Sequence, residues 1–421
     1  MAISYNKITK KFLGSIFLIT MLSPALHADE GKEEETDLVG AITGGKATID
    51  LRLRYEFVDQ AGFANNANAS TLRTKLGYKT ETYKGFSGVI EFEHSAELFG
   101  GDYNNAINGK TAYPAIVDAN HTEVNQAYLA YTGIKENTIA VGRQAINIGN
   151  QRFVGTVGWR QNDQTFDSVA VINNSIEGLT TIYGYVWNVN RIFGNDHPMG
   201  DLKTKTHVIN ANYKGIKGVN IEGYGYLIDL DNIALKNLNS KTFGIRASGT
   251  HKINPDTKII YSAEYAAQSD YKANPVNFSA DYYAAEAGVI FKGLAVKAGL
   301  ETLGSDNGQY AFQTPLATLH KFNGWADKFL ATPVNGLRDF YGNISYAVKG
   351  TESPFDGIKF TIVYHDFKSD VGSIDYGSEI DISLSKKLFD RYTLLLKYAN
   401  YNADAFATDT TKFWFQIAAK F

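Results

Sequence analysis

Charged residues recur in this chain at a spacing of two. Arg52 and Arg54 are followed by Arg73, Lys75 and Lys79, then by Glu91 and Glu93. In an extended chain successive side chains point to opposite faces, so each set lines up on one side of a strand. Ile49, Leu51, Leu53, Tyr55 and Phe57 fill the alternate positions around the first pair. The pattern therefore describes strands with one apolar and one wet face. Three guanidiniums on adjacent strands repel unless anions or carboxylates such as Glu91 and Glu93 offset them.

Other chemistries find little support. The chain has no cysteine, which excludes disulfides, thiolate metal sites and cysteine nucleophiles. Its eight histidines show neither an HExxH spacing nor a pairing with a serine nucleophile. His94-Ser95 and His365-Asp366 are neighbours in sequence and point to opposite faces of a strand. No catalytic set, cofactor or metal site is implied, and an enzyme is the minority reading. Asp102, Asn104, Asn105, Asn108 and Asp118 make a polar loop without the spacing of a calcium motif. With 41 basic and 44 acidic residues the net charge is −3, without the basic excess that nucleic-acid binding requires.

The elements that carry these charges are strands throughout. Lys7, Lys10 and Lys11 precede an apolar run from Phe12 to Leu22, which reads as a secretory signal peptide over 1–28 cleaved after Ala28. Residues 29–45 follow as an acidic periplasmic segment. Beyond it no apolar stretch reaches the roughly 20 residues of a membrane-spanning helix. About eighteen alternating segments fill residues 46–421, an even number at a density that suits strands of about 9–11 residues with their connections. Short links at Lys84-Gly85, Lys292-Gly293 and elsewhere alternate with long ones, notably 98–121, 145–163 and 303–337. Every long link falls in an odd position, as in a barrel with both termini on the periplasmic side. The expected fold is all-β, a transmembrane antiparallel up-and-down barrel in a Gram-negative outer membrane. Phe413, Phe415, Ile417, Ala419 and Phe421 form the alternating, aromatic-terminated last strand expected to engage the barrel-assembly machinery.

Eighteen strands leave an aqueous lumen. Arg52, Arg54, Arg73, Lys75, Glu91 and Glu93 are its candidate lining, with Lys297, Glu301, Glu379, Asp381, Lys412 and Gln416 on later strands. A basic sector opposite an acidic one would order polar solutes; the plainer reading is that charges simply keep the inner face wet. Trp414, Tyr224 and Tyr226 are candidates for stacking against sugars. Segment 303–337 is too long for a passive connector, and its Phe312, Leu316, Leu319, Phe322, Trp325 and Phe329 need cover from water. It is expected to fold back, either as a cover over the pore mouth with His320, Lys321, Trp325, Asp327 and Lys328 on the path, or packed on the rim. The implied partners are small hydrophilic solutes, with outer-membrane lipid and lipopolysaccharide around the barrel. Modest loops leave an adhesin or receptor little to bind with.

Three blocks add a resemblance. GRQAINIGNQRFVGTVGWRQNDQTFD from Gly142 to Asp167, YVWNVNRIFG from Tyr185 to Gly194, and FQTPLATLHKFNGWADKFLATPVNGLRD from Phe312 to Asp339 resemble the alginate-export family of outer-membrane barrels. Membership implies an eighteen-stranded pore with basic residues that attract anionic, carbohydrate-like solutes. The matching positions are Arg143, Arg152, Arg160 and Arg191, whose alternative role is to anchor loops at the extracellular rim. A dedicated polyuronate exporter would be expected to have a long periplasmic gating loop, and every periplasmic link here is short. That favours a diffusion porin built on the same plan, with polysaccharide export as the alternative.

Overall fold

The computed structural model describes residues 37–348, 350 and 353–421. The signal peptide expected at 1–28, and all of the acidic segment up to residue 36, lie outside the described residues. Residues 38–43 form a short helix, α1 (Leu38–Thr43), that the sequence reading does not anticipate. Its N-cap Asp37 accepts a hydrogen bond from the Gly40 amide at 2.6 Å, which satisfies one of the donors a helix start leaves free.

The strands follow in chain order. They are β1 (Lys46–Gln60), β2 (Ala67–Lys79), β3 (Phe86–Asp102), β4 (His121–Tyr131), β5 (Asn137–Gln144) and β6 (Thr165–Ile176). Next come β7 (Leu179–Asn190), β8 (Asp201–Tyr213), β9 (Val219–Ile228), β10 (Ser240–Lys252), β11 (Thr257–Asp270), β12 (Ser279–Phe291) and β13 (Leu294–Leu303). A small hairpin, β14 (Ser305–Asp306) with β15 (Tyr310–Ala311), stands apart in a loop. The last are β16 (Leu337–Ala347), β17 (Ile358–Lys368), β18 (Asp375–Leu388), β19 (Tyr392–Ala403) and β20 (Thr410–Lys420). Leaving the hairpin aside, each of the eighteen pairs antiparallel with its sequence neighbours, and β20 pairs back onto β1 from Asp50↔Lys420 to Gln60↔Thr410. The sheet closes, so no edge is left unpaired around the ring, the condition for strands to cross hydrocarbon.

Alternation is what orients the wall. In β1 the burial rhythm puts Arg52, Arg54 and Glu56 inside, while Ile49 is 41% exposed on the outer surface. Leu76, Phe92, Ile209, Ile245, Leu300 and Ile344 repeat that outward exposure around the ring. Outward aromatics near the strand ends, among them Phe86, Tyr261, Phe291, Tyr265, Tyr283 and Phe340, supply the girdles that sit at lipid headgroup level. No described helix is long and apolar enough to cross a membrane, so any crossing is made by strands.

One rim has short connections and the other long ones. On the short side Lys292 and Gly293 take φ of 44° and 89°, a two-residue turn with both residues left-handed, whose twist matches that of the hairpin. On the long side the loops span 103–120, 145–164 and 304–336. These bounds correct the expected 98–121, 145–163 and 303–337: β3 runs on through Gly100 and Gly101 to Asp102, where register shifts at Asn68 and Ser70 let it stay paired with β2.

Candidate functional site

All three long loops turn into the barrel. Ile146, Ile148 and Val154 pack with Leu316 against Phe166, Ile182, Val186, Leu202 and Val208 on the inner wall of β6–β8, and Phe153 packs against Tyr224 and Tyr226 of β9 and Tyr282 of β12. Val58, Ala67 and Ala69 seat Tyr103 and Ile116 of the first loop against β1 and β2. The inner wall is thus apolar on one side. On the other it is charged.

The charged side begins with Arg52 and Arg73, directly opposed on β1 and β2. Arg52 donates to Gln161 Oε1 at 2.8 Å, to the Gly158 carbonyl at 2.8 Å and to the Arg160 carbonyl. Arg54 donates to Gln416 Oε1 at 2.8 Å and lies 3.8 Å from Asp118, with its guanidinium 4.1 Å from the Trp159 ring centre. Arg73 pairs with Asp50 at 2.9 Å and with Asp163 at 3.6 Å. Lys75 meets Glu93 at 2.7 Å, Glu91 at 3.8 Å, and Asp163. Glu91 and Glu93 are the counter-charges of Lys75, whereas the guanidiniums of Arg54 and Arg73 are offset by Asp50 and by Asp118 and Asp163, which the loops deliver. Burial works to raise the Asp163 carboxyl, but Lys75 and Arg73 outweigh it and hold it below the ordinary range.

Arg160 is the knot between the loops. It makes a two-pronged contact with Glu56 at 3.0 and 3.2 Å, and lies 3.6 Å from both Asp118 and Asp327. Asp327 in turn binds Lys412 at 3.0 Å and His320 Nδ1 at 2.6 Å. Arg152 performs the same work lower down, donating to Glu301 at 2.6 Å, Thr314 at 3.0 Å and Asn323 at 3.3 Å. Asn323 reaches Glu301 and Asp339, while the Trp325 and Ala326 amides donate to Asp381 and Glu379. An acidic wall over β13, β16 and β18 therefore holds loop 304–336.

His320 is 7% exposed and stacks on Trp159 at 4.5 Å between ring centres. Burial pushes its imidazole down to about 3, so the ring is neutral; Nδ1 donates to Asp327 and Nε2 accepts from Lys397 at 2.6 Å. Trp159, Trp325 and Trp414 all lie around the Lys397 ammonium, at 4.2, 3.7 and 5.4 Å.

The sequence-derived candidates therefore separate. Arg52, Arg54, Arg73, Lys75 and Glu93 face inward, but each is under 10% exposed beneath loop 145–164 rather than open to a path. Glu91 also faces inward and is half-buried, accepting from Asn125 at 2.7 Å. Arg152 and Arg160 anchor loops, the alternative role considered for them. Arg143 is a correction: it shares the outer face of β5 with Val141, two residues before it and 47% exposed, and pairs with Asp167 at 2.8 Å. His320 and Asp327 are a second correction, since both are packed inside the loop bundle instead of facing a path. Lys321 is exposed, and Trp325, Lys328 and Arg191 are half-buried. Trp414, Tyr224 and Tyr226 point inward but are covered, the tyrosines by Phe153 at 5.0 and 5.6 Å. The asparagines of loop 103–120 bond their own backbone, and Asp118 faces the arginines, so no calcium cage forms among the described residues.

Sequence reasoning missed Glu56, Asp118, Asp163, Asp339 and Lys397. Glu56 and Lys397 carried the same two-residue rhythm as their neighbours. The two loop acids gave no periodic signal.

A closed antiparallel ring with an apolar exterior and a charged interior defines an integral outer-membrane β-barrel. The alginate-export family profile matches residues 46–370, and the chain belongs to that family. No curated protein matches it. Among solved structures it is similar to OccAB4 of Acinetobacter baumannii at 13% identity, over 90% of this chain and 98% of that one, with a TM-score of 0.71. OpdO of Pseudomonas aeruginosa shares 13% identity over 90% and 97%, with a TM-score of 0.70. OpdQ of Pseudomonas aeruginosa shares 16% over 90% and 99%, with a TM-score of 0.67. At such identities the likeness speaks for the barrel itself.

Proposed function

We propose that this barrel is a passive, non-enzymatic channel for small hydrophilic solutes, with a preference for anionic or carbohydrate-like ones. The observation that carries the reading is the inner surface, where arginines, lysines and carboxylates crowd a ring whose outside is apolar. Such a charge density is stable inside a membrane only around water and its own counter-charges. The anionic preference rests on the loops. Among the described residues, Arg191, Lys321 and Lys328 have no carboxylate within salt-bridge distance. They are the loop cations that this reading assigns to an anionic solute.

Export of an anionic polysaccharide is the second reading, favoured by the family match. The periplasmic links are short, and the lumen is crossed by three loops stapled at Arg160, an arrangement better suited to small solutes than to a polymer. Liposome swelling separates the readings. Proteoliposomes should swell in isosmotic glucuronate faster than in a neutral hexose of similar size, and oligouronates should be excluded as length increases. Equal rates for both monomers would remove the anionic preference, and free passage of long oligouronate would favour the exporter.

A further inference from the structure

The barrel wall has one weak seam. β4 pairs with β5 only from Ala127↔Arg143 to Tyr131↔Ile139, the shortest of the eighteen ladders among the described residues. Above it His121–Val124 and Gln126 keep their partners on β3, with Asn125 bulged between them, and none of them has a partner on the β5 side. The departure of β5 is built into its backbone. Gly142 takes φ of 126°, and a methyl there would lie 2.3 Å from the Ala127 carbonyl, so only glycine permits the approach from which the chain turns inward.

Side chains, not a ladder, close the gap. Arg143 donates to the Val124 carbonyl at 2.9 Å, and Gln126 accepts from the Ala145 amide at 3.2 Å. Asn162, on the lumen side, donates to the Arg191 carbonyl at 3.4 Å, and Gly194 in the same outer loop lies against His121. Groups from the inner face and the outer face thus meet through the wall. Two of the sequence blocks that carry the family resemblance, Gly142–Asp167 and Tyr185–Gly194, come together here.

The seam is also short of partners. Asn125, Asn162 and Asn188 are each under 10% exposed, and each has a side-chain oxygen with no hydrogen bond. A buried polar atom left in that state is costly, so three together mark a place suited to water or hydroxyl groups rather than to apolar packing. The centre of the mouth differs in being crossed by the ion pairs of the Arg160 lattice.

We propose that this seam is a side entrance: hydroxyl-rich solutes pass between β4 and the rims of β6–β8, with Asn125, Asn162 and Asn188 binding them and Arg191 at the outer lip. The proposal rests on the channel reading above. Because the chain has no cysteine, single cysteines test it directly. N162C and N188C should react with a membrane-impermeant thiol reagent several-fold faster than A266C, which is fully buried on the inner wall away from the seam. The modification should lower single-channel current, and glucuronate should slow it. Folding of each variant is checked by its heat-modifiable gel shift; if N162C does not fold, N188C at the outer edge carries the test. Seam cysteines that react no faster than A266C, or that react with no change in current, overturn the side entrance. Wild-type protein without conductance overturns the channel reading instead, and the mass shift of the cysteines still reports whether the seam opens.

Discussion

The two halves of the inner wall hold the same loops by different means. Against β6–β9 and β12, loop 145–164 is fixed by Ile146, Ile148, Phe153 and Val154 in a dry interface. Against β1, β2 and β3 it is fixed by Arg52, Arg160 and Asp163 in a network of buried charges. Apolar contacts are nondirectional and indifferent to charge. Buried ion pairs gain little net stability, because desolvation offsets attraction, but losing one member is costly. The apolar half therefore sets where the loop lies, and the charged half sets what it tolerates beside it.

Removing the knot should have the largest effect. Arg160→Met leaves Glu56 without its partner, while Asp118 keeps Arg54 and Asp327 keeps Lys412 and His320, and we expect a loss of about 3 kcal/mol in unfolding free energy, together with larger and noisier single-channel currents. Currents like those of wild type would show that the charged half does not restrain the loops.

Phe153→Ala attacks the other half. Its ring packs among Tyr224, Tyr226, Tyr282 and Phe312, and truncation should cost about 3 kcal/mol, at the lower end for an aromatic core residue. Conductance should rise while ion preference stays as it was, since no charge is lost. A shift in reversal potential would contradict the division of labour.

The pH dependence comes next. His320 resists protonation down to about 3 because burial disfavours its cation, against an ordinary value of 6.5. The unfolded chain takes up a proton near 6.5 that the folded chain refuses until about 3. Its contribution is therefore complete above 6.5 and is lost as the pH falls between those values. His320→Gln should flatten that part of the slope, measured as the change in unfolding midpoint between neutral pH and about pH 4.

The smallest expected effect concerns Lys328. Burial, with Lys412 nearby, brings its ammonium down to about 8. Raising the pH through that value should neutralise it and weaken anion preference, and Lys328→Arg should keep the preference constant. Reversal potentials across the same pH range in both proteins check this.

The strand plan was legible because alternation in residues such as Ile49 to Phe57 depends only on the next residue but one. The loops were legible as lengths. Their destinations were not: Asp118 and Asp163 meet Arg54 and Arg73 across more than sixty positions of chain, and nothing local in the sequence encodes that. Arg143 was misplaced for a related reason. Its neighbours Val141 and Gly142 show which face it takes, but a family match at that position says only that an arginine belongs there.

The most direct test of the channel itself is conductance in a planar bilayer under a salt gradient, with oligouronate added to one side. We expect a steady open current, a reversal potential on the anion side, and partial block by short oligouronates. A folded, inserted barrel that carries no current, or one that prefers cations and ignores uronate, would contradict the account.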